Sequence, residues 1–516
     1  MGILIRKDVW KLSAISTWEP TILWYAKAVG EMSGRPATDP TSWRFQGGVH
    51  GYSKQSDPLV KAGPIPAKAV QDKFWKKCQH GSWFFVPWHR MYLGFFEQIV
   101  RAAVTKLGGP ADWTLPFWNY SDSSNPNARK LPPAFREAKL PDGSPNPLFA
   151  INGVNILRAP LVNAGDASAI PAKDVDLTAC LSATFFSPKT DATAGDLGFG
   201  GPATGPNHDG HFFGPKTVER LPHNAIHMDV GGNTTLGWMT DPDTAALDPI
   251  FWLHHANIDR LWSVWNNLSS SNTNPSGTVN VGGHNISWGT TVKFAFNDAA
   301  GKAVSMTPSQ VVDTKTTPFK YDYENTKSLV AATAKALTGL RRGVMPSQRR
   351  AEMVGASTKK VKLTGSPRTT SVAVHKPSGP AKPRGKTTRK ASAVAALEKT
   401  YLQIENVVSK KSVATYEVYV NLPADADPAQ YEDHHAGSLH LFGVRNASTK
   451  SAEHSGSGLN FSLDITDIAE ALKAKNMWED ENVDVTFVPR GEGGQRRAVV
   501  QEHDPITIGR ISIYRQ

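Results

Sequence analysis

DPIFWLHHANIDRLW, Asp248 to Trp262, decides how the N-terminal part of this chain is read. Asp followed by Pro is a helix-start signal, because Pro tolerates the first helical position and Asp caps the free N–H groups behind it. Beyond it His255, Ile258, Trp262 and Trp265 share one face. Working upstream, HGSWFFVPWHRMYL (His80 to Leu93) leads into a second helix. There Pro87 opens a segment in which His89, Tyr92, Phe96, Ile99 and Ala103 recur at helical steps. Between the two lies LPHNAIHMD, Leu221 to Asp229, with His223 and His227 at i and i+4. On a helix these imidazoles lie on one face and can grip one metal ion.

With His50 in GGVHGYS, the histidines fall into two sets of three: His50, His80, His89 and His223, His227, His255. No carboxylate recurs beside them as a ligand. An all-imidazole shell suits copper, which tops the affinity order for nitrogen donors. Zinc is the plainer metal, and ordinary core or surface histidines the plainest reading of all. His254 and His255 are adjacent, so on a helix they point about 100° apart and cannot both face one ion.

The chain has 516 residues and a formal net charge of +11. That excess is local. Residues 341–395 carry fourteen Lys/Arg against the single acid Glu352, so the remainder is close to neutral. A nucleic-acid partner therefore loses its support, and the segment, poor in interleaved aromatics, reads as a basic flexible linker. No stretch approaches a membrane span, and the N-terminus shows no signal peptide. Cys78 and Cys180 are the only cysteines, which rules out a disulfide scaffold and points to an intracellular, cytoplasmic setting.

Three regions result: a mainly helical domain over 1–335, the linker 341–395, and a β-rich domain over 398–516. In the last, Tyr416/Val418/Val420, Leu459/Phe461/Leu463/Ile465, Val483/Val485/Phe487, Ile506/Ile508 and Ile511/Ile513 alternate, with one helix near Asp467 to Lys475. Period-two runs of this kind predict an antiparallel β-sandwich, and the fold class is α+β.

HGSWFFVPWHRMYL, LPHNAIHMDVGG and DPIFWLHHANIDRLW together resemble the two copper-binding regions of tyrosinases and related type 3 copper proteins. YDYEN, Tyr321 to Asn325, resembles the tyrosine motif of plant and fungal polyphenol oxidases. More weakly, YEVYVNLP and DVTFVPRGEGG resemble the C-terminal shielding domain of their long forms. The resemblance implies an antiparallel four-helix bundle around two copper ions, His50, His80 and His89 holding the first and His223, His227 and His255 the second. It makes His254 a supporting residue. It also implies a thioether between Cys78 and His80, a water held by Glu219 and Asn224, and Pro242 in place of the bulky Phe that gates plant enzymes above the second copper.

The activity implied is O2-dependent oxidation of small phenols, with ortho-hydroxylation of monophenols and oxidation of o-diphenols to quinones. The long form implies a latent proenzyme with a C-terminal side chain, Leu439 or a neighbour, over the site. An activating protease would act on linker 341–395. A catechol or o-aminophenol oxidase and a haemocyanin-like O2 carrier are the alternatives.

Overall fold

In the computed structural model, which describes residues 2–60, 63–189, 195–206, 211–316, 318–340, 351–375, 399–451, 454–478, 481–491 and 504–516, two apolar cores form. The larger belongs to the N-terminal domain. β1 (Leu4–Arg6) leads into α1 (Pro20–Ser33) and α2 (Trp43–His50), whose first turn is capped by the Ser42 hydroxyl accepting from the Phe45 amide at 3.1 Å. α3 (Phe85–Lys106) starts two residues before Pro87 and is buried along nearly all of its length. After β2 (Phe212–Phe213), an irregular turn over Glu219–Asn224 runs into α4 (Ala225–Gly231). α5 (Ile250–Leu268) follows one residue later than expected, with Pro249 rather than Asp248 at its N-cap and the Asp248 carboxylate accepting from the Ile250 amide at 3.1 Å. α1 packs on α3 and α3 on α5, while the 219–224 turn rests against α5 and leads into α4, so four helical pieces surround the histidines.

The tyrosine motif locks this arrangement. β3 (Tyr321–Tyr323) pairs in parallel with β1 and aims both tyrosines at α5. The buried Asp259 carboxylate of α5 accepts from Tyr321 at 2.5 Å and Tyr323 at 2.6 Å, and also from Arg90. Arg6 of β1 donates to Glu97 at 2.8 Å and lies over the Tyr321 ring. α6 (Thr326–Leu340), a helix absent from the sequence reading, packs back on α5.

The second core lies between two sheets. In the first, β4 (Glu352–Ala356) and β5 (Val361–Leu363) pair with the C-terminal strand; in the second, β6 (Arg368–Ala373) is an edge. The remaining strands are β7 (Thr400–Val408), β8 (Tyr416–Val420), β9 (His435–Leu439), β10 (Leu459–Asp464), β11 (Asn482–Pro489) and β12 (Ile506–Arg515). The strand orders are β4-β12-β7-β10-β2 and β6-β11-β8-β9. α7 (Thr466–Ala474) sits where a helix was expected.

Three expectations change here. The linker 341–395 is not one unfolded stretch: β4, β5 and β6 lie inside it and belong to the sandwich. Val354, Val361, Leu363 and Val372 are buried in its core, and their short apolar alternation was masked by the surrounding Lys, Thr and Ser. Residues 341–350 and 376–398 of that stretch lie outside the described residues. Ile506/Ile508 and Ile511/Ile513 form one strand, not two. The phase slip between the two pairs falls opposite Asn406, φ 53°, where β7 keeps its register with β12 and shifts it against β10. Finally, the sandwich is not wholly antiparallel, because β2 of the N-terminal domain adds to β10 in parallel. Among the described residues no helix is long and apolar enough to cross a membrane.

Candidate metal centre

The end of α2 delivers His50, the loop before α3 delivers His80, and α3 itself carries His89. Their ring centroids form a near-equilateral triangle with sides of 5.4, 5.6 and 5.7 Å. Opposite stand His223, His227 and His255, with sides of 4.5, 4.9 and 5.5 Å. The two sets touch where His89 stacks on His255 at 4.4 Å. All six sequence-derived histidines are thus brought to one place.

The backbone orients the rings. Nδ1–H of His50 donates to the Pro242 carbonyl at 2.8 Å, that of His89 to Phe85 at 2.8 Å, and that of His227 to Met239 at 2.9 Å. His223 Nδ1 donates to the Asn224 side-chain oxygen at 2.8 Å. A carbonyl can only accept, so each bond fixes the tautomer and leaves the Nε2 lone pair directed inward. The Nε2 atoms of His50 and His223 are buried with no protein partner, an arrangement that costs stability unless something accepts those lone pairs. Burial pushes His50 down to about 4 and the pKa values of His89, His223, His227 and His255 well below the usual imidazole range. The rings are therefore neutral, as metal ligation requires. Two clusters of neutral nitrogen donors, with no carboxylate in either, fit a copper pair.

A fourth imidazole joins the second cluster. His254 lies 5.0 Å from both His227 and His255 and 5.3 Å from His223, and its outer side faces Tyr120 at 5.7 Å. Against the expectation that adjacent helical imidazoles cannot both face one ion, His254 and His255 each bring a nitrogen within 4.8 Å of those of His223 and His227.

Cys78 Sγ lies 3.2 Å from His80 Nδ1 and 3.5 Å from its Nε2, so it faces the carbon between the two nitrogens. Burial pushes its thiol up, away from thiolate. Glu219 accepts from the Gly81 amide at 2.8 and 2.9 Å. Burial, opposed by the Gly81 and Ser82 amides, holds its carboxyl well above the usual range. Glu219, Asn224, Pro242, His50 and His80 line one pocket. The Pro242 carbonyl accepts from His50 of the first set, and its ring lines the same pocket beside Gly443, next to Phe442.

The side chain over the site is Phe442. Only 3% exposed, it packs in the N-terminal core although it belongs to the C-terminal domain. Its ring stacks on His227 at 3.9 Å and meets His80 at 5.5 Å and His223 at 5.7 Å. Leu439, the expected candidate, ends β9 and is buried inside the sandwich. The chain turns at Gly443, φ 78°, which lets the loop carry Phe442 in and double back. A bulky aromatic just before a glycine, three residues past the alternating strand, was the available signal.

Ionic contacts hold Phe442's domain in place. Arg490, fully buried, pairs with Asp174 and, at 3.2 Å, with Asp229 of the N-terminal domain, and with Glu417 of its own at 2.7 Å. Arg445 pairs with Asp243 at 2.5 Å and with Asp241 at 2.9 Å, on either side of Pro242. His440 reaches Asp174 at 3.5 Å, while His434 and His435 stay within the sandwich, on Val420 and Glu417.

Comparison with known proteins agrees with this geometry. Residues 40–268 match the common central domain of tyrosinase, and residues 350–516 match a domain of unknown function, DUF7868. Tyrosinase HcTyr1 of Hahella sp. (strain CCB-MM4) is 34% identical over 524 residues, covering 99% of this chain and 98% of that protein. The latent form of the chloroplastic polyphenol oxidase of Prunus armeniaca is 26% identical over 95% of this chain and 72% of that protein. The solved structure of latent apple tyrosinase shares the fold, with a TM-score of 0.57 at 21% identity, covering 100% of this chain and 98% of that one. With a relative of that identity along its whole length and two imidazole clusters suited to copper, the chain belongs to the tyrosinase family of dicopper enzymes, which oxidise phenols with O2.

Proposed function

We propose that this enzyme hydroxylates monophenols at the ortho position as well as oxidising o-diphenols to o-quinones, and that the full chain is a latent form. His50, His80 and His89 would hold one copper ion, and His223, His227 and His255 the other. His255 is preferred to His254 because its ring faces both sets. When bound, the copper pair supplies the activation of O2 and the electron transfer.

The observation that carries the monophenol reading is the position of Glu219 and Asn224. A monophenol has a pKa near 10 and must lose its proton to react at neutral pH. Glu219 is a carboxyl whose proton affinity burial has raised, on the wall of the pocket that His50, His80 and Asn224 also line. A general base works best when its pKa approaches the operating pH. Asn224 bonds His223 through its oxygen, and its Nδ2 is buried with no protein partner, an N–H donor left for a water or a substrate oxygen. Glu219→Gln and Asn224→Ala should each slow monophenol turnover by about 10²-fold or more, the lower end for general-base catalysis, while changing catechol turnover far less. Equal losses on both substrates would refute the assignment.

Cys78 facing the carbon of His80 between its nitrogens supports a thioether there, which would hold that ring in place. Latency rests on Phe442, which occupies the face of His227 that a phenol ring would need. Release of this domain by proteolysis would require a cut within 341–350. A cut within 376–398 leaves β4, β5 and β6 paired to β11 and β12 and the sandwich still docked.

A further inference from the structure

We propose that His211 and His454 form a third metal site, a two-imidazole seat for one copper ion at the seam between the domains. His211 belongs to the N-terminal domain, directly before β2, and His454 to the segment before β10. Their facing nitrogens, His211 Nε2 and His454 Nδ1, lie 3.1 Å apart, and the rings are nearly parallel, at 25°. Two imidazole nitrogens about 2.0–2.1 Å from one four-coordinate ion, water filling its other two positions, stand about 3.3 Å apart. The pair therefore needs only a small adjustment to hold one.

Both residues are positioned by the backbone. The His211 carbonyl accepts from the Asn460 amide at 3.0 Å, where β2 joins β10. Gly81, the residue after His80, packs so closely on His211 that a Cβ there would lie 2.3 Å from its Cα. His454 is tied to Ser451, its amide donating to Ser451 Oγ at 3.1 Å and its carbonyl accepting from the Ser451 amide at 2.9 Å. His211 is 4% exposed, while His454 is half-buried, so the seat has one inner and one outer ligand.

Its location suggests what it is for. His211 and His454 line the same pocket as His50 and His80. An ion held by two imidazoles is bound more weakly than one held by three, so it can pass on to the fuller shell beyond. Copper is the metal favoured by an imidazole pair, by the same affinity order that applies to the main centre. The destination of the ion rests on the ligand assignment proposed above; the existence of the seat does not.

The test uses the full chain. Copper(II) is titrated against a competing chelator, and apoprotein loading is followed over time. The wild type should take three equivalents, and His454→Gln and His211→Ala two. His454→Gln keeps a side chain that can hydrogen-bond His211 yet ligates copper poorly, so it separates a seat from a simple N–H···N contact. In both variants affinity for the third ion should fall by at least the ~100-fold that loss of an outer partner can cost a metal site, and loading of the other two should slow. Two equivalents in the wild type, or a third retained in both variants, overturns the proposal. A single equivalent that His454→Gln abolishes supports the seat while overturning the dicopper ligand assignment.

Discussion

Phe442→Ala isolates the plug from the docking of the domain that carries it. The ring is buried and stacked on His227 at 3.9 Å, with an interplanar angle of 19°. Truncating a buried Phe to Ala removes ~3–5 kcal/mol in a well-packed core, of which stacking beyond simple burial supplies ~0.5–1.5 kcal/mol. The domain keeps its other attachments through Arg490 and Arg445, so the substitution empties the space above His227 without undocking the sandwich. Each ~1.4 kcal/mol is tenfold in an equilibrium. If access in the wild type depends on Phe442 leaving its site, even half of the smaller cost raises the accessible fraction about tenfold. The assay is catechol oxidation by copper-loaded full-length protein, before and after limited trypsin. The wild type should be slow and then activated. Phe442→Ala should be at least tenfold faster before cleavage and gain little after it. Leu439→Ala is the control: a sandwich-core truncation that costs ~2–5 kcal/mol of stability and leaves Phe442 in place. A loaded Phe442→Ala protein that remains as slow as the wild type yet is activated by trypsin refutes the reasoning.

Other outcomes follow from the same interface. Arg490→Met removes the guanidinium that pairs with Asp174 and Glu417, and breaking a buried pair of this kind costs ~3–5 kcal/mol; faster catechol oxidation before cleavage and a lower melting temperature of the β-rich domain should result, and unchanged values of both refute the clamp. Acid should weaken the same contact. Burial raises Asp174, but Arg490 and His440 outweigh it and hold its carboxyl well below the usual range, and against the same effect Arg490, His435 and Lys173 do so for Glu417. Carboxylates depressed on folding stabilise above their unfolded value near pH 4 and lose that contribution as pH falls toward the folded one. Asp229, which burial and Asp174 push up, offsets part of it. Circular dichroism melts should show a plateau around neutrality and a fall below about pH 4; a plateau that persists to about pH 2 refutes the role of these groups. Copper loading in air should make the peptide containing Cys78 and His80 lighter by two hydrogens, and an unchanged mass excludes the thioether.

The helices and the six histidines were legible because their signals are local. A capped Asp-Pro start, three- and four-residue apolar steps and an i, i+4 imidazole pair depend on neighbours within a turn or two. The β-sandwich was legible for the same reason in its long alternating strands. It was not in β4, β5 and β6, where two or three buried residues per strand stand among Lys, Arg and Thr and only pairing with β11 and β12 shows which face is inside. The basic charge of 341–395 is carried in part on strands that present their polar residues to solvent.

What the sequence determined by itself was two sets of three imidazoles, and the resemblance of the segments that carry them to tyrosinase copper-binding regions implied the copper. What only the tertiary structure decided was how those sets are covered and joined. Phe442 rather than Leu439 reaches His227, Pro242 serves His50 through its carbonyl, and His211 meets His454, 243 residues away. These are contacts between residues far apart in the chain. Periodicity describes which face of an element is buried, whereas the docking of one domain on another chooses which residue of that face touches the site.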